Sequence, residues 1–272
     1  MQEETTVLSN EQAGVGCRRL RLGAPGVAAV ARPGQFVHVR VPALDPGAMR
    51  RPISICDADR ASGVLTLLFK LVGRGTEALA RVAPGDRVDI LGPLGTGFPM
   101  PEAADVALVG GGYGVAPLYF LAKTLLGAPS APRIALFVGG RSAPDILLAE
   151  DFSALGVDVH VATQDGSLGA HGLVTAPLDQ WLNETLADAR HATDARVALC
   201  ACGPAPMLRA LDERALRLGL PAWLSLDRRM ACGVGACLGC VQRVRSGRGD
   251  ETTLARVCVD GPVFPAGKIV WD

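Results

Sequence analysis

The sequence predicts a multidomain α+β protein: an N-terminal antiparallel β-barrel, an α/β domain with a parallel sheet, and a small C-terminal cysteine segment. Three observations carry this reading. Residues 1–100 hold period-two strands separated by glycine and proline turns, and residues 101–222 alternate short apolar strands with helical stretches. Residues 223–272 hold "CGVGACLGC" (232–240), a C-x4-C-x2-C run, with a fourth cysteine at Cys258.

The barrel elements come first. In "GQFVHVRV" (34–41), Val37, Val39 and Val41 share one face, while Phe36, His38 and Arg40 share the other. "GVLTLLFKLVG" (63–73) repeats the pattern with Leu65, Leu67, Phe69 and Leu71 inward. "GDRVDILGPLG" (85–95) adds a strand with a tight exit, and "FPMPEAAD" (98–105) reads as a linker. The α/β strands follow as "DVALVG" (105–110), "RIALFVGG" (133–140), "VDVHVAT" (157–163) and "RVALCACG" (196–203). "GGYGVAPLYFLAKTLL" and "PMLRALDERALRLG" (206–219) read as helices between or after them. Beyond "AWLSLD" (222–227), the cysteine segment is too short for an independent core.

Composition narrows the function classes. Lys plus Arg and Asp plus Glu number 27 each, so no bulk field attracts nucleic acid or an anionic membrane. With 33 glycines and 19 prolines, the chain favours short, closely turned elements. The opening "MQEETTVLSNEQ" has neither the basic nor the apolar region of a signal peptide, and no apolar run reaches about 18 residues. Eight cysteines in such a chain point to metal or redox chemistry more than to disulfides, and to the cytoplasm. The histidines 38, 160, 171 and 191 are scattered and read as structural or surface residues. No Ser/His/Asp set or carboxylate pair suggests hydrolysis.

The cysteine spacing is the strongest chemical signal. C-x4-C-x2-C with one distant cysteine is the plant-type arrangement for a 2Fe–2S cluster. Gly233, Gly235 and Gly239 let backbone N–H groups approach sulfur without a Cβ in the way. Structural zinc is the alternative, but it favours cysteine pairs in two separate knuckles. Cys17, Cys56 and Cys200 read as small buried hydrophobes. "GGGYGVAP" (110–117) runs from a strand into a helix, as a pyrophosphate-binding turn does, although Val115 breaks G-x-G-x-x-G; a glycine turn that merely packs is the plain alternative. In "RPIS" (51–54), Arg51 suits a phosphate and Ser54 a flavin ring, with "GRGT" (73–76) as a second glycine turn; a surface charge is the plain alternative for Arg51.

R-P-x-S and G-x-G-T, followed by G-G-G-x-G-x-x-P and C-G-P-x-x-M, resemble the ferredoxin–NADP reductase superfamily. With "RMACGVGACLGC" and "VCVDGPVF", the chain is similar to electron transfer subunits of dihydroorotate dehydrogenase B over almost its whole length. The resemblance implies FAD contacts from Arg51, Pro52, Ile53, Ser54, Leu68, Phe69, Lys70, Gly75 and Thr76. It implies nicotinamide contacts from Gly111, Gly112 and Gly114, with Cys202 near the reacting ring, and cluster ligands Cys232, Cys237, Cys240 and Cys258. Ile53 stands where the superfamily's R-x-[YF]-S form has an aromatic, and Tyr113 fills a slot usually aliphatic. The implied partner is an FMN-containing catalytic subunit, two of each chain forming a heterotetramer. Electrons would run from dihydroorotate through FMN, cluster and FAD to NAD, in pyrimidine synthesis. An FAD/2Fe–2S reductase subunit of a transhydrogenase or sulfhydrogenase type shares every motif, and a non-redox zinc protein is the reading from another class. Arg141 and Ser142 suit the ribose end of NAD or NADP alike.

Overall fold

The computed structural model describes residues 1–41, 49–189, 197–247 and 251–271. Six antiparallel strands close a barrel in the order β1-β2-β5-β4-β3-β6. They are β1 (Gln2–Gly14), β2 (Cys17–Gly23), β3 (Phe36–Val39), β4 (Arg51–Asp59), β5 (Val64–Lys70) and β6 (Arg87–Leu94). The alternating residues fill its interior: Val37, Val39, Leu65, Leu67 and Phe69 join Val88 and Ile90 in one apolar core. Two short helices, α1 (Pro25–Val30) and α2 (Arg74–Leu79), sit in the connections.

The α/β domain is built on a seven-stranded sheet of order β10-β9-β8-β7-β11-β12-β15. Its strands are β7 (Asp105–Gly111), β8 (Arg133–Gly140), β9 (Asp158–Thr163), β10 (Ala170–His171), β11 (Val197–Cys202), β12 (Ala222–Ser225) and β15 (Val263–Pro265). The first six are parallel, and their central members are buried on both faces, as helices on both sides require. The helices are α3 (Ala116–Leu126), α4 (Ala149–Ala154), α5 (Thr175–Ala189) and α6 (Ala205–Leu218). Helix α6 buries Leu208, Leu211, Asp212 and Ala215, a stripe at helical spacing, and ends on Gly219 in the left-handed region at φ 67°. From β7 the chain continues to β8 on one side, and later returns as β11 on the other. That reversal leaves a crevice at the carboxyl ends of β7 and β11, where ligands bind in open α/β sheets.

The third zone has no core of its own. The strand Ala222–Ser225 straddles the boundary expected at 222/223, and β15 pairs antiparallel beside it, Leu224 opposite Phe264. A two-stranded ribbon, β13 (Val241–Arg245) and β14 (Thr252–Arg256), completes the segment. Cys240, Val244, Val257, Cys258 and Ile269 share one apolar cluster with Ala107, Leu199 and Leu224 of the sheet. Asp212 of α6, buried at 3% exposure, accepts hydrogen bonds from the Gly267 amide and the Trp271 indole, both at 2.6 Å. Barrel and α/β domain are tied by Arg19, which donates to both oxygens of Asp151 at 2.8 Å, and by Lys123 on Asp57 at 2.5 Å.

Candidate functional site

Residues 232–240 form an irregular loop between β12 and β13. Gly233 and Gly235 take φ of 69° and 81°, where a side chain is strained, and Leu238 adopts the same region at 56°. The turns bring amides onto sulfur: Val234 and Cys237 donate to Cys232 Sγ at 3.5 and 3.4 Å, and Gly239 to Cys237 Sγ at 3.4 Å. Those amides, that of Val234 first, pull the Cys232 thiol down to about 6. Cys258 moves the other way, pushed up to about 11 by burial and by its hydrogen bond with Cys240. Backbone contacts keep the cysteines two and two: the Cys237 amide donates to Cys232 Sγ, and the amide of Val257, next to Cys258, donates to the Cys240 carbonyl at 3.2 Å. Among the described residues, no three Cys, His, Asp or Glu side chains converge on a single ion. Two pairs fit a dinuclear centre with two thiolates for each iron, as a 2Fe–2S cluster held by four cysteines requires, better than one zinc ion with four.

This loop rests on the barrel. Thr96 Oγ1 at the end of β6 donates to the Val259 carbonyl at 3.2 Å, and the Thr96 amide donates to the Gly261 carbonyl at 2.5 Å. Phe36 of β3 lies in the same cluster as Cys240 and Cys258. A Cβ on Gly233 would lie 2.6 Å from His38 Nε2. The outer face of β3 is thus covered, and Phe36 and His38 are 3% and 0% exposed. The sequence reads His38 as a structural or surface residue. It is a fully buried imidazole whose two nitrogens have no hydrogen-bond partner among the described residues. Leaving such a group unpaired costs about 1–3 kcal/mol. Burial, with the Arg50 charge nearby, lowers its pKa to about 4, so the ring is neutral at pH 7. His160 stacks on Phe137 and meets Asp158 at 2.9 Å, and His171 is exposed on β10. His191 lies outside the described residues.

The R-P-I-S residues begin β4, the next strand over from β3. Phe36 pairs with Ser54 and His38 with Pro52, so they stand one strand spacing, about 4.8 Å, from the strand carrying the cysteine loop. Arg51 lies against Gly75: a Cβ there would fall 2.7 Å from the guanidinium carbon. The fold thus brings the two flavin-type motifs together at the start of α2. Thr76 Oγ1 is occupied by the turn, donating to the Gly73 carbonyl at 3.0 Å and accepting from the Val72 amide at 2.9 Å. Ile53 and Phe69 point into the barrel core, while Leu68 joins the cluster containing Val115 and Ala116. Their side chains are spent on packing, which leaves backbone groups plus Arg51, Ser54 and Lys70 for a ligand. Lys70 also faces Asp145 at 3.7 Å. We expect Arg51→Ala to weaken FAD binding by roughly one to two decades, since a hydrogen bond to a charged group contributes about 1.5–3 kcal/mol. Titration of the deflavinated protein checks this, and unchanged affinity would return Arg51 to a surface charge.

The glycine turn sits at the sheet's crevice. It is a short 3-10 turn over Gly112–Val115 that leads into α3, rather than one continuous helix. Gly110 pairs with Cys202 across β7 and β11. A Cβ on Gly114 would lie 2.5 Å from the Cys202 carbonyl oxygen, and one on Gly111 the same distance from Pro204 Cδ. Gly111 and Gly114 therefore serve the contact between the glycine turn and the C-G-P loop. Gly112, at φ 54° with open space beside it, is the one of the three with room for a ligand. Cys202 is 6% exposed and burial pushes its thiol up to about 12, so it is present as the neutral thiol at pH 7. Tyr113 projects over this corner and donates its hydroxyl to Asp227 at 2.7 Å. Burial and then Asp227 raise its phenol above the ordinary tyrosine value.

Comparison with known proteins agrees with this geometry zone by zone. The oxidoreductase FAD-binding domain matches residues 4–98, and the oxidoreductase NAD-binding domain matches residues 108–213. The iron–sulfur cluster binding domain of dihydroorotate dehydrogenase B matches residues 227–270. The electron transfer subunit of dihydroorotate dehydrogenase B (NAD(+)) from Bacillus caldolyticus is 43% identical over 99% of this chain and 98% of that protein. Its counterpart from Geobacillus kaustophilus has the same identity and coverage. The solved NADH-dependent reduced ferredoxin–NADP oxidoreductase is 29% identical, with a TM-score of 0.82, over 98% of this chain and 90% of its own. The chain is an oxidoreductase with FAD, NAD and iron–sulfur domains, and no described helix is long and apolar enough to cross a membrane. It belongs to the family of electron transfer subunits of dihydroorotate dehydrogenase B (NAD(+)).

Proposed function

We propose that this chain passes electrons from the FMN of a dihydroorotate dehydrogenase catalytic subunit, through a 2Fe–2S cluster and FAD, to NAD+. The setting is pyrimidine synthesis in the cytoplasm, and the assembly holds two of each chain. One observation carries the reading: the cysteine loop is seated on the outer face of β3, one strand from R-P-I-S. Together the bound groups convert between one-electron and two-electron transfer, which dihydroorotate and NAD both need. The chain's own residues do the placing. Cys232, Cys237, Cys240 and Cys258 hold the cluster, and Arg51 neutralises a phosphate of FAD. Ser54 and the backbone of Pro52, Ile53, Leu68, Phe69, Lys70, Gly75 and Thr76 position the flavin. Gly112 receives the dinucleotide at the sheet crevice, held in shape by Gly111 and Gly114. Cys202 packs as a neutral thiol beside the nicotinamide.

The catalytic partner docks where the cysteine loop is open. Cys237 is exposed, and around it Val234, Leu238 and Val259 are 51%, 60% and 40% exposed, an apolar rim beside the metal ligands. Leu238→Asp is expected to weaken partner binding at least tenfold, because burying a leucine contributes about 1.5–3 kcal/mol. The cluster spectrum should stay unchanged, and equal affinity by calorimetry would move the interface elsewhere. Mixing this chain with an FMN catalytic subunit should create dihydroorotate:NAD activity that neither component has alone. Turnover of dihydroorotate by the lone chain would overturn the partner model. Failure of the mixture would favour a reductase subunit of another redox complex, which the likeness to the ferredoxin–NADP oxidoreductase supports.

A further inference from the structure

A hydrogen bond between two side chains crosses the carboxyl edge of the parallel sheet. β7, β11 and β12 are neighbours in that order, with Gly110 opposite Cys202 and Cys202 opposite Ser225. Tyr113 follows the end of β7, and Asp227 follows the end of β12. Those two strands stand two spacings apart, about 9.6 Å. The Tyr113 hydroxyl spans that gap and donates to Asp227 Oδ2 at 2.7 Å. Among the described residues, the Asp227 carboxylate has no other hydrogen-bond or ion-pair partner. The Tyr113 ring therefore lies across the end of β11, at Cys202. The turn fixes where the ring starts, because Gly111 abuts Pro204 and Gly114 abuts the Cys202 carbonyl. Tyr113 is 41% exposed, so the ring stands in the crevice rather than in the core. Cys202 shares an apolar cluster with Val115 and with Cys17 and Leu68 of the barrel. The FAD-type and NAD-type domains thus meet at the corner that Tyr113 crosses. A nicotinamide that exchanges hydride with a flavin has to enter there, since reacting atoms must come within about 3–3.5 Å.

We propose that Tyr113 is a latch on the nicotinamide site: its bond to Asp227 holds the ring across the Cys202 corner, and the dinucleotide displaces it on binding. The proposal rests on the reading that places the dinucleotide at Gly112 and its nicotinamide beside Cys202. A site that is open in only a fraction of the molecules binds with its affinity lowered by that fraction. A hydrogen bond that has to break before entry lowers it, here one from a phenol to a carboxylate. The bond re-forms when the site empties, so it favours release as much as it opposes entry. Tyr113 takes no part in the electron transfer itself.

The test uses the full-length, oxidised protein loaded with FAD and iron, and NAD+ as the probe, so that nothing turns over. Tyr113→Phe keeps the ring and removes the hydroxyl, which unfastens the latch without emptying the corner. Its NAD+ affinity by calorimetry should rise roughly three- to tenfold. Asp227→Ala should gain as well, and the double variant should gain no more than the better single one, as two halves of one bond require. A mere charge effect of Asp227 on the anionic dinucleotide would add to the gain of Tyr113→Phe instead. Unchanged or weaker affinity in Tyr113→Phe, or additive gains in the double variant, overturns the proposal. The chain has two tyrosines, Tyr113 and Tyr119. In wild type labelled with 3-fluorotyrosine, saturating NAD+ should therefore move the Tyr113 fluorine resonance and leave that of Tyr119. A Tyr113 resonance that stays in place overturns the latch even if the variants do not fold. Absence of saturable NAD+ binding to wild type overturns the dinucleotide reading, and this proposal with it.

Discussion

Cys258→Ala is expected to purify yellow with flavin but without the 2Fe–2S signal in electron paramagnetic resonance. Cys258 is the proposed ligand that comes from outside the Gly-rich loop, and it packs in one apolar cluster with Cys240. With it gone, one iron keeps a single thiolate from the protein, and the centre lacks one of the four it needs. The barrel should be untouched, because its core of Val37, Leu65, Leu67, Val88 and Ile90 is built without the cysteine segment. The loss should therefore be specific: flavin content close to wild type, iron content near zero. Cys17→Ala and Cys56→Ala serve as controls, being buried thiols away from the loop that should leave both cofactors in place. Full cluster content in Cys258→Ala would sink the ligand assignment.

The second large effect concerns two glycines of one turn that should fail in different ways. Gly114→Ala places a methyl 2.5 Å from the Cys202 carbonyl oxygen and 2.8 Å from its carbon, both backbone atoms that cannot swing aside. The glycine turn and the end of β11 would have to part, and overpacking of this kind costs about 1–3 kcal/mol. For a chain of this size, we expect a fall in Tm of roughly 2–4 °C for each kcal/mol, together with weaker NADH binding. Gly112→Ala meets no atom within 4 Å, but it forces a side chain into φ 54°. That costs about 1–2 kcal/mol. Its larger effect should be on NADH titration, since its open side is where we propose that the dinucleotide approaches. Thermal melts and fluorescence titrations of both variants decide. If Gly114→Ala melts with wild type, the packing role is wrong; if Gly112→Ala binds NADH normally, the dinucleotide lies elsewhere.

Much of this is legible in the sequence because local pattern and tertiary role coincide. The strands at 36–39, 64–70 and 87–94 alternate cleanly, one face entering the barrel, so period two finds them. β1 carries no such signal. Its 13 residues are mostly polar and bury only Thr5 and Val7, leaving no apolar alternation to read. The cysteine loop is legible because ligand spacing is a covalent constraint that neither burial nor packing disguises. His38 is not, because its cover arrives from Gly233, nearly two hundred positions later, and nothing near residue 38 announces it. Asp212 is hidden for the same reason. In "PMLRALDERALRLG" it looks like one more surface charge, yet its partners Gly267 and Trp271 lie 55 and 59 residues on. The glycines of "VGGGYGVAP" stand out as a motif, but their division of labour depends on which of them faces the C-G-P loop.

The antiparallel strand at the edge of the parallel sheet has a consequence for how the metal site is kept. β12 and β15 pair side by side, and the Leu226 amide donates to the Pro262 carbonyl at 2.9 Å, so residues 226–262 form a loop fastened at its neck. All four cysteines hang inside that noose. Opening the tip, around residues 233–239, frees the exposed thiols locally and should show as fast amide hydrogen exchange. Opening the neck requires stripping an edge strand from a sheet whose core it shares, so the Phe264 amide should exchange only with global unfolding. A chelator then meets two barriers of different height. With the four proposed ligands inside the noose, iron should leave from the tip of a folded protein, and the emptied loop should stay tethered in place to be refilled.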